Sequence, residues 1–270
     1  MKKTLFFVSD IHGEYTVLRD GLEEAGYDED NPNHLLVVLG DIFDRGDESK
    51  SVYLYLKRLT DEKKAIVISG NHNKFFIDYL DGTNLSPFNY MRNGVRDTFA
   101  DFLDRTAPFE SWCFLEAGIE YPTNEDFAIW LKGARDEINK EYPDLLPWLK
   151  SLPHYVETKN YIGVHGAIDT MVEDWHYPHC ERYNLVDWDA LDFDDGSFFG
   201  SSIQNTDKTI IIGHFSTWHL RNIYGLADIN DEEDYSILKR DDGKVIAIDG
   251  TINYTKKLNV FKVEDEIENI

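Results

Sequence analysis

Five short polar clusters hold the residue types needed for metal-assisted hydrolysis. They are Ser9-Asp10-Ile11-His12-Gly13, Gly40-Asp41-Ile42-Phe43-Asp44-Arg45-Gly46, Gly70-Asn71-His72-Asn73, His165-Gly166 and Gly213-His214. Pooled, they offer carboxylate, imidazole and amide oxygen, the mixed nitrogen and oxygen set that suits manganese, iron, zinc or a similar ion. No cluster contains a cysteine, which argues against a structural thiolate zinc site. Any one cluster is ambiguous, because an aspartate behind a strand is more often a helix cap or a turn residue. A lone histidine is more often a hydrogen-bonded structural residue than a ligand. Five clusters, each following an apolar run, shift that balance toward chemistry.

The elements that must position them follow from the apolar pattern. Leu5 to Val8, Leu35 to Leu39 and Ala65 to Ile68 read as buried strands. Helices are expected from about Glu14 to Ala25, from Lys50 to Leu59 and after Asn71. This β-α-β-α-β order is the signature of an α/β fold. Residues from about 97 to 152 read as mostly helical, an insertion or cap within a single domain spanning residues 1–270. Strands return at Tyr161 to Val164, Thr209 to Ile212, Val245 to Ile248 and Leu258 to Val263. Two strand-rich parts with helices before and between them suggest two sheets packed face to face. In open α/β sheets the carboxyl ends of strands converge on the ligand crevice, so the five clusters can meet.

Composition narrows the partners. The chain has 270 residues, 42% hydrophobic and 14% aromatic, which is ample for a core and excludes wholesale disorder. Its 27 basic and 51 acidic residues leave a formal net charge of −24. Such a field repels nucleic-acid backbones and anionic membranes, so a phosphate ligand needs a local positive centre such as a bound metal. Cys113 and Cys180 do not make a disulfide framework. The run Leu5 to Val8 behind Met1-Lys2-Lys3 is too short for a signal-peptide core, and no stretch approaches the roughly 18 apolar residues of a membrane span. A cytoplasmic protein with no membrane partner is expected.

The ordered series Asp10-x-His12-Gly13, Gly40-Asp41-x-x-Asp44-Arg45-Gly46, Gly70-Asn71-His72, His165 and Gly213-His214 resembles the phosphoprotein phosphatase branch of the calcineurin-like metallophosphoesterases. The likeness runs over roughly residues 4 to 263 and is nearest to bacterial Ser/Thr protein phosphatases. Arg92-Asn93-Gly94 through Thr98, Leu149 to Pro153 leading to Val164-His165, and Ile248-Asp249-Gly250 are similar too. The resemblance implies a four-layer α/β/β/α sandwich of two mixed sheets.

It also implies roles. Asp10 and His12 would bind a first metal; Asn71, His165 and His214 would bind a second; Asp41 would bridge them. The cofactor would be two divalent ions, manganese first, with iron, zinc, nickel or magnesium also fitting. Two dications against two carboxylates and a hydroxide leave about +1, a positive centre in a negative protein. His72 would be the general acid, oriented by Asp44, with Arg45 forking onto the phosphate alongside Asn71 and His72. The reaction would be direct attack of a metal-bound hydroxide on phosphorus.

Three positions depart from the family pattern. Asn73 stands where glutamate is usual. The usual Trp-x-Arg phosphate clamp is matched only by Trp188-Asp189-Ala190, with Arg182 or Arg221 as substitutes. Phe215 follows His214 where threonine is common. The acidic run Asp187, Asp189, Asp192, Asp194 and Asp195 reads as a solvated loop or a rim that recruits basic peptides. The expected activity is that of a phosphomonoesterase acting on a phosphopeptide or small phosphoester. A symmetrical dinucleoside polyphosphate hydrolase is the alternative, disfavoured by charge and by the doubtful second arginine. A nucleic-acid phosphodiesterase is disfavoured by the absence of a basic stripe. A non-catalytic metal-binding member would not require His72.

Overall fold

Along β1 (Lys3–Val8) successive side chains point to opposite faces, and both faces are apolar. Leu5 and Phe7 join a cluster with Val156, Ile211 and Ile246, which belong to a second sheet. Phe6 and Val8 join a different cluster formed with helices. The same division holds in β2 (His34–Leu39), where Leu35, Val37 and Leu39 face the second sheet and Leu36 and Val38 face the helices. Strands buried on both sides read as continuous apolar runs, which is why they stand out in the sequence. The computed structural model describes residues 2–85, 87–104, 124–176, 180–181, 196–227 and 233–269.

The first sheet has the order β3-β2-β1-β9, with β3 at Ala65–Ile68 and β9 at Phe261–Asp265. Its first three strands are parallel and β9 runs antiparallel to β1. The second sheet has the order β10-β4-β5-β6-β8-β7. Its strands are β4 (Tyr155–Thr158), β5 (Tyr161–Val164), β6 (Thr209–Ile212), β7 (Leu238–Lys239), β8 (Val245–Ala247) and β10 (Ile267–Asn269). Strands β5, β6 and β8 are parallel, and the others pair antiparallel. Both sheets are therefore mixed.

Helices α1 (Tyr15–Glu24), α2 (Ser49–Asp61) and α3 (Asn71–Asp81) follow the first three strands. On α2, Val52, Leu56 and Leu59 recur at helical spacing and are buried against the first sheet. Then come α4 (Pro87–Met91), α5 (Val95–Phe102), α6 (Asn124–Glu141) and α7 (Leu145–Lys150). Phe99, Phe102, Leu131, Ile138 and Leu149 from this region share the same core as α2, so these helices thicken the outer layer of the first sheet. The outer face of the second sheet carries Ile162, Val164, Ile210 and Val245, covered by Trp175, Phe198 and Leu220 of helix α8 (Thr217–Ile223). Helix α9 (Ile252–Thr255) precedes β9. The result is the α/β/β/α sandwich. Among the described residues no helix is long and apolar enough to cross a membrane.

Strand β9 starts later than the pattern predicts. The Asn259 side chain donates to the carbonyls of Tyr235 and Ile248, which holds residues 258–260 in a loop, and β9 begins at Phe261. The short strands β4 and β10 carry polar residues and do not announce themselves. Asp265 ends β9 and ties it to the second sheet, accepting from the Thr158 hydroxyl at 2.7 Å and from the Asn160 backbone at 2.9 Å. Cys180 is buried and free. Cys113, Arg182, Trp188 and the acidic run from Asp187 to Asp195 lie outside the described residues.

Candidate metal centre

Strand ends β1, β2, β3, β5 and β6 each deliver one cluster to the same edge of the sandwich. The turns that do so are strained. Asp10, His12, Asp41, Asp44, Arg45 and His214 all have φ between 46° and 73°, a region that residues with a side chain seldom adopt. Each such residue costs about 1–3 kcal/mol, and strain of this kind gathers where side chains must be aimed. Two glycines are required by close approach. A Cβ on Gly70 would meet Asp41 Oδ1 at 2.3 Å, and one on Gly213 would meet Asp10 Oδ2 at 2.4 Å.

Asp41 stands at the middle. His12, Asp41 and His72 form one group whose potential ligand atoms lie within 4.8 Å of one another, and Asp41, His165 and His214 form another. One carboxylate thus belongs to both groups. His165 Nε2 lies 3.2 Å from Asp41 Oδ2, 2.9 Å from Asn71 Oδ1 and 3.2 Å from His214 Nδ1. Its other nitrogen donates to the Leu39 carbonyl at 2.8 Å, which fixes the ring. Likewise His12 Nδ1 donates to Phe43 O at 3.0 Å and leaves Nε2 as the ligand-side atom.

Two of the expected positions differ in detail. Asp10 belongs to neither group; its Oδ2 accepts from the His214 backbone at 2.9 Å. His72 joins the first group, although its Nδ1 is taken by Asp44 Oδ2 at 2.8 Å.

The electrostatics suit a cation. Burial, then Asp249 and Asp41, push the Asp10 carboxyl well above its usual range. Burial also works against charge on Asp41, but the imidazoles of His165, His72 and His12 outweigh it and hold that carboxyl well below its usual range. For His165 burial is likewise opposed, and Asp41 pushes the imidazole up to about 9. Burial and then His165 lower His214 to about 3, and burial, Arg45 and His72 push His12 well down. His12 and His214 are therefore neutral near pH 7, the form that binds metals. Buried carboxylates crowded beside neutral imidazoles fit a divalent ion in donor type and charge.

The phosphate-side residues assemble next to this group. Arg45 donates to His12 Nε2 at 2.9 Å and to His72 Nε2 at 3.1 Å. Thr98 donates to Asp44 Oδ1 at 2.6 Å and accepts from the Asp44 backbone at 2.9 Å. The stretch Arg92 through Thr98 signals this in sequence, though not the contact itself. Asn73 is fully buried, and its Oδ1 accepts from the Ile42 backbone at 3.2 Å, so it ties down the Asp41–Asp44 turn without a carboxylate. A cavity of about 670 Å³ opens beside Arg45, lined also by Asp47, Arg96, Asp97, Asp101 and Asp104.

Arg221 is not a second phosphate clamp. It is buried, pairs with Asp234 at 3.0 Å and donates to the Ser236 carbonyl at 2.9 Å, so its guanidinium is spent on the chain leading to β7. Trp175 is core and stacks on His176 at 4.1 Å. Tyr177 and His179 lie outside the described residues. Asp249 is a site neighbour whose type and spacing gave no role. Burial raises its carboxyl to about 6, and its backbone carbonyl accepts from Thr217 at 2.9 Å, joining the loop behind His214 to the end of the second sheet.

Known proteins bear on this geometry in two ways. A stretch of the chain is 28% identical over 100 residues to the bis(5′-nucleosyl)-tetraphosphatase PrpE (asymmetrical) of Halalkalibacterium halodurans, covering 35% of this chain and 39% of that protein. The chain thus matches well under half the length of that relative. Two crystal structures share the fold across almost the whole chain. One is of a candidate diadenosine tetraphosphatase, with TM-score 0.56 and 17% identity over 97% of this chain and 93% of that one. The other is a cold-active protein tyrosine phosphatase, with TM-score 0.54 and 18% identity over 96% and 73% of the two chains. The family profile described as Calcineurin-like phosphoesterase matches residues 3–248, from β1 to the residue after β8, and by that match the chain belongs to the calcineurin-like phosphoesterase family.

Proposed function

We propose that this chain is a phosphoester hydrolase working at a dinuclear metal centre and acting on phosphomonoesters in the manner of the Ser/Thr protein phosphatases. The observation that carries the reading is Asp41, one carboxylate shared by two clusters of ligand atoms. Two divalent ions held there would supply Lewis acidity and an activated water near neutral pH. Asp10, His12 and Asp41 would hold the first ion; Asp41, Asn71, His165 and His214 the second.

The chain's own groups do the rest. Asp44 keeps the proton on Nδ1 of His72, so Nε2, which accepts from Arg45 here, would have to take up the proton that it passes to the leaving oxygen. Arg45, beside both imidazoles, has the planar fork that matches phosphate oxygens. The cavity next to Arg45 sets four carboxylates against the guanidiniums of Arg45 and Arg96, a net negative lining that disfavours a long polyphosphate there. The similarity to PrpE favours a second reading, hydrolysis of dinucleoside polyphosphates.

The deciding experiment presents the manganese-reconstituted protein with an aryl phosphomonoester, a phosphoserine peptide and a dinucleoside tetraphosphate. Preference for the peptide supports the first reading. Preference for the tetraphosphate moves the chain to the second. No turnover of any of them, with two ions bound, leaves a metal-binding protein without this activity.

A further inference from the structure

The cavity of about 670 Å³ is lined by Arg45, whose guanidinium donates to both His12 and His72. Gly46 donates its backbone N–H to the His12 carbonyl at 2.9 Å, and a Cβ on Gly46 would run into that carbonyl. The turn from Arg45 to Asp47 is therefore packed against the His12 turn. Helix α5 and the turn after it supply Arg96, Asp97, Asp101 and Asp104 to the same lining. Gly94, just before α5, packs on the Arg45 backbone, where a Cβ would meet the amide nitrogen at 2.6 Å. The volume falls in the range of about 300–1,000 Å³ that ligand pockets occupy.

The charges of this lining do not cancel. Asp97 is paired with Arg96 at 2.9 Å, and Asp104 with the Lys50 ammonium. Two carboxylates are left over. Among the described residues the Asp47 side chain takes part in no hydrogen bond or ion pair. Asp101 accepts from the Lys50 backbone at 2.6 Å, and among the described residues no cationic side chain is paired with it. Burial raises the Asp101 carboxyl, and Asp104 and Asp47 add to that against the pull of Lys50. The acidic groups are thus close enough to repel one another, and a positive group placed among them relieves the repulsion.

From the cavity and its unmatched charge we infer that it takes a cationic side chain of the substrate, a proposal that rests on the phosphomonoesterase reading. The preferred substrate is then a phosphopeptide with lysine or arginine two residues from the phosphoresidue. The spacing follows from the chain itself. Arg45, on the phosphate, and Asp47 are two residues apart, so their Cα atoms are separated by at most about 7 Å. Two residues of an extended peptide span about the same distance, and side chains at that spacing point to one side. The guanidinium of Arg45 then meets phosphate while Asp47 and Asp101 meet the cation. A peptide with an acidic residue at that place sets it against the same two carboxylates and is rejected.

The test gives the manganese-loaded full-length protein phosphoserine peptides of one length, with lysine, norleucine or glutamate two residues to either side of the phosphoserine. The lysine peptide should have a KM about 5- to 20-fold below that of the norleucine peptide, at similar kcat, and the glutamate peptide the highest KM. In the double variant Asp47→Asn, Asp101→Asn, which keeps an acceptor for the Lys50 amide, the ratio of the first two should fall to about one. Asp47→Lys should turn the preference toward glutamate. Equal KM for the lysine and norleucine peptides overturns the proposal, as does a lysine preference that survives the double substitution. If neither the peptides nor an aryl phosphomonoester is turned over, the phosphomonoesterase reading fails, and calorimetric titration of the same peptides decides the cavity separately. Binding of the lysine peptide about 5- to 20-fold tighter than the norleucine one would then uphold the cavity, and equal affinity would overturn it.

Discussion

His72 donates through Nδ1 to Asp44 Oδ2 at 2.8 Å, with both side chains sealed from solvent. A carboxylate in that place fixes the imidazole tautomer and the orientation of the ring toward the leaving oxygen. Replacing Asp44 by Asn, or His72 by Asn, should lower turnover of an aryl phosphomonoester by about 10²–10⁴-fold. Elemental analysis should still find two ions per chain. Unchanged turnover would remove His72 from the role of acid.

Thr98 reaches the same carboxylate from α5, giving one hydrogen bond to Asp44 and taking another from its backbone. Thr98→Val keeps the shape and deletes both. Because the site is buried and one partner is a carboxylate, the expected loss is about 1.5–3 kcal/mol, read from denaturant midpoints. A midpoint equal to the parent's would mean that Asp44 is held by its neighbours alone.

Sharing of Asp41 between two ligand groups makes a prediction about stoichiometry. Asp41→Ala should abolish binding of both ions together, where His214→Ala should spare the first. Metal content after dialysis reads this directly. Two ions retained by Asp41→Ala would refute the bridge.

Much of this arrangement is legible in the sequence for a physical reason. Strands buried on both faces must be apolar throughout, so β1, β2, β3, β5 and β6 end abruptly where polar clusters begin. The parallel order then sends those ends to one edge. Legibility fails where contacts are long-range or side-chain-made. The Asn259 tether that delays β9, and the pairing of Asp10 with the His214 backbone, join residues far apart in the chain. Arg221 matched a phosphate clamp by type only, because nothing in its local sequence reveals that Asp234 and Ser236 fold back onto it.

That position yields its own test. Arg221→Ala should destabilise the protein by about 1–2 kcal/mol, through loss of the ion pair with the half-exposed Asp234 and of the bond to the Ser236 carbonyl. KM for a phosphoester should stay at the parent value, since the guanidinium faces the chain before β7. A rise in KM at unchanged stability would return Arg221 to the phosphate site.

Asp265 gives the fold a pH dependence of definite sign. Burial alone would raise its carboxyl, but bonds from the Thr158 hydroxyl and the Asn160 backbone and side chain hold it below the usual carboxylate range. A carboxyl depressed in the folded state binds fewer protons there than in the unfolded chain. Its stabilisation is therefore fully present above the unfolded value of about 3.9 and is lost as pH falls through the folded value. Asp265→Asn should lower stability at pH 7, where the parent carboxylate is charged. The difference should shrink on acidification below about pH 4, as the parent is protonated too. Paired denaturant titrations at pH 7 and pH 3.5 measure this. A difference that stays constant between them would mean Asp265 acts by packing, and that the link between β9 and the β4–β5 hairpin does not depend on its charge.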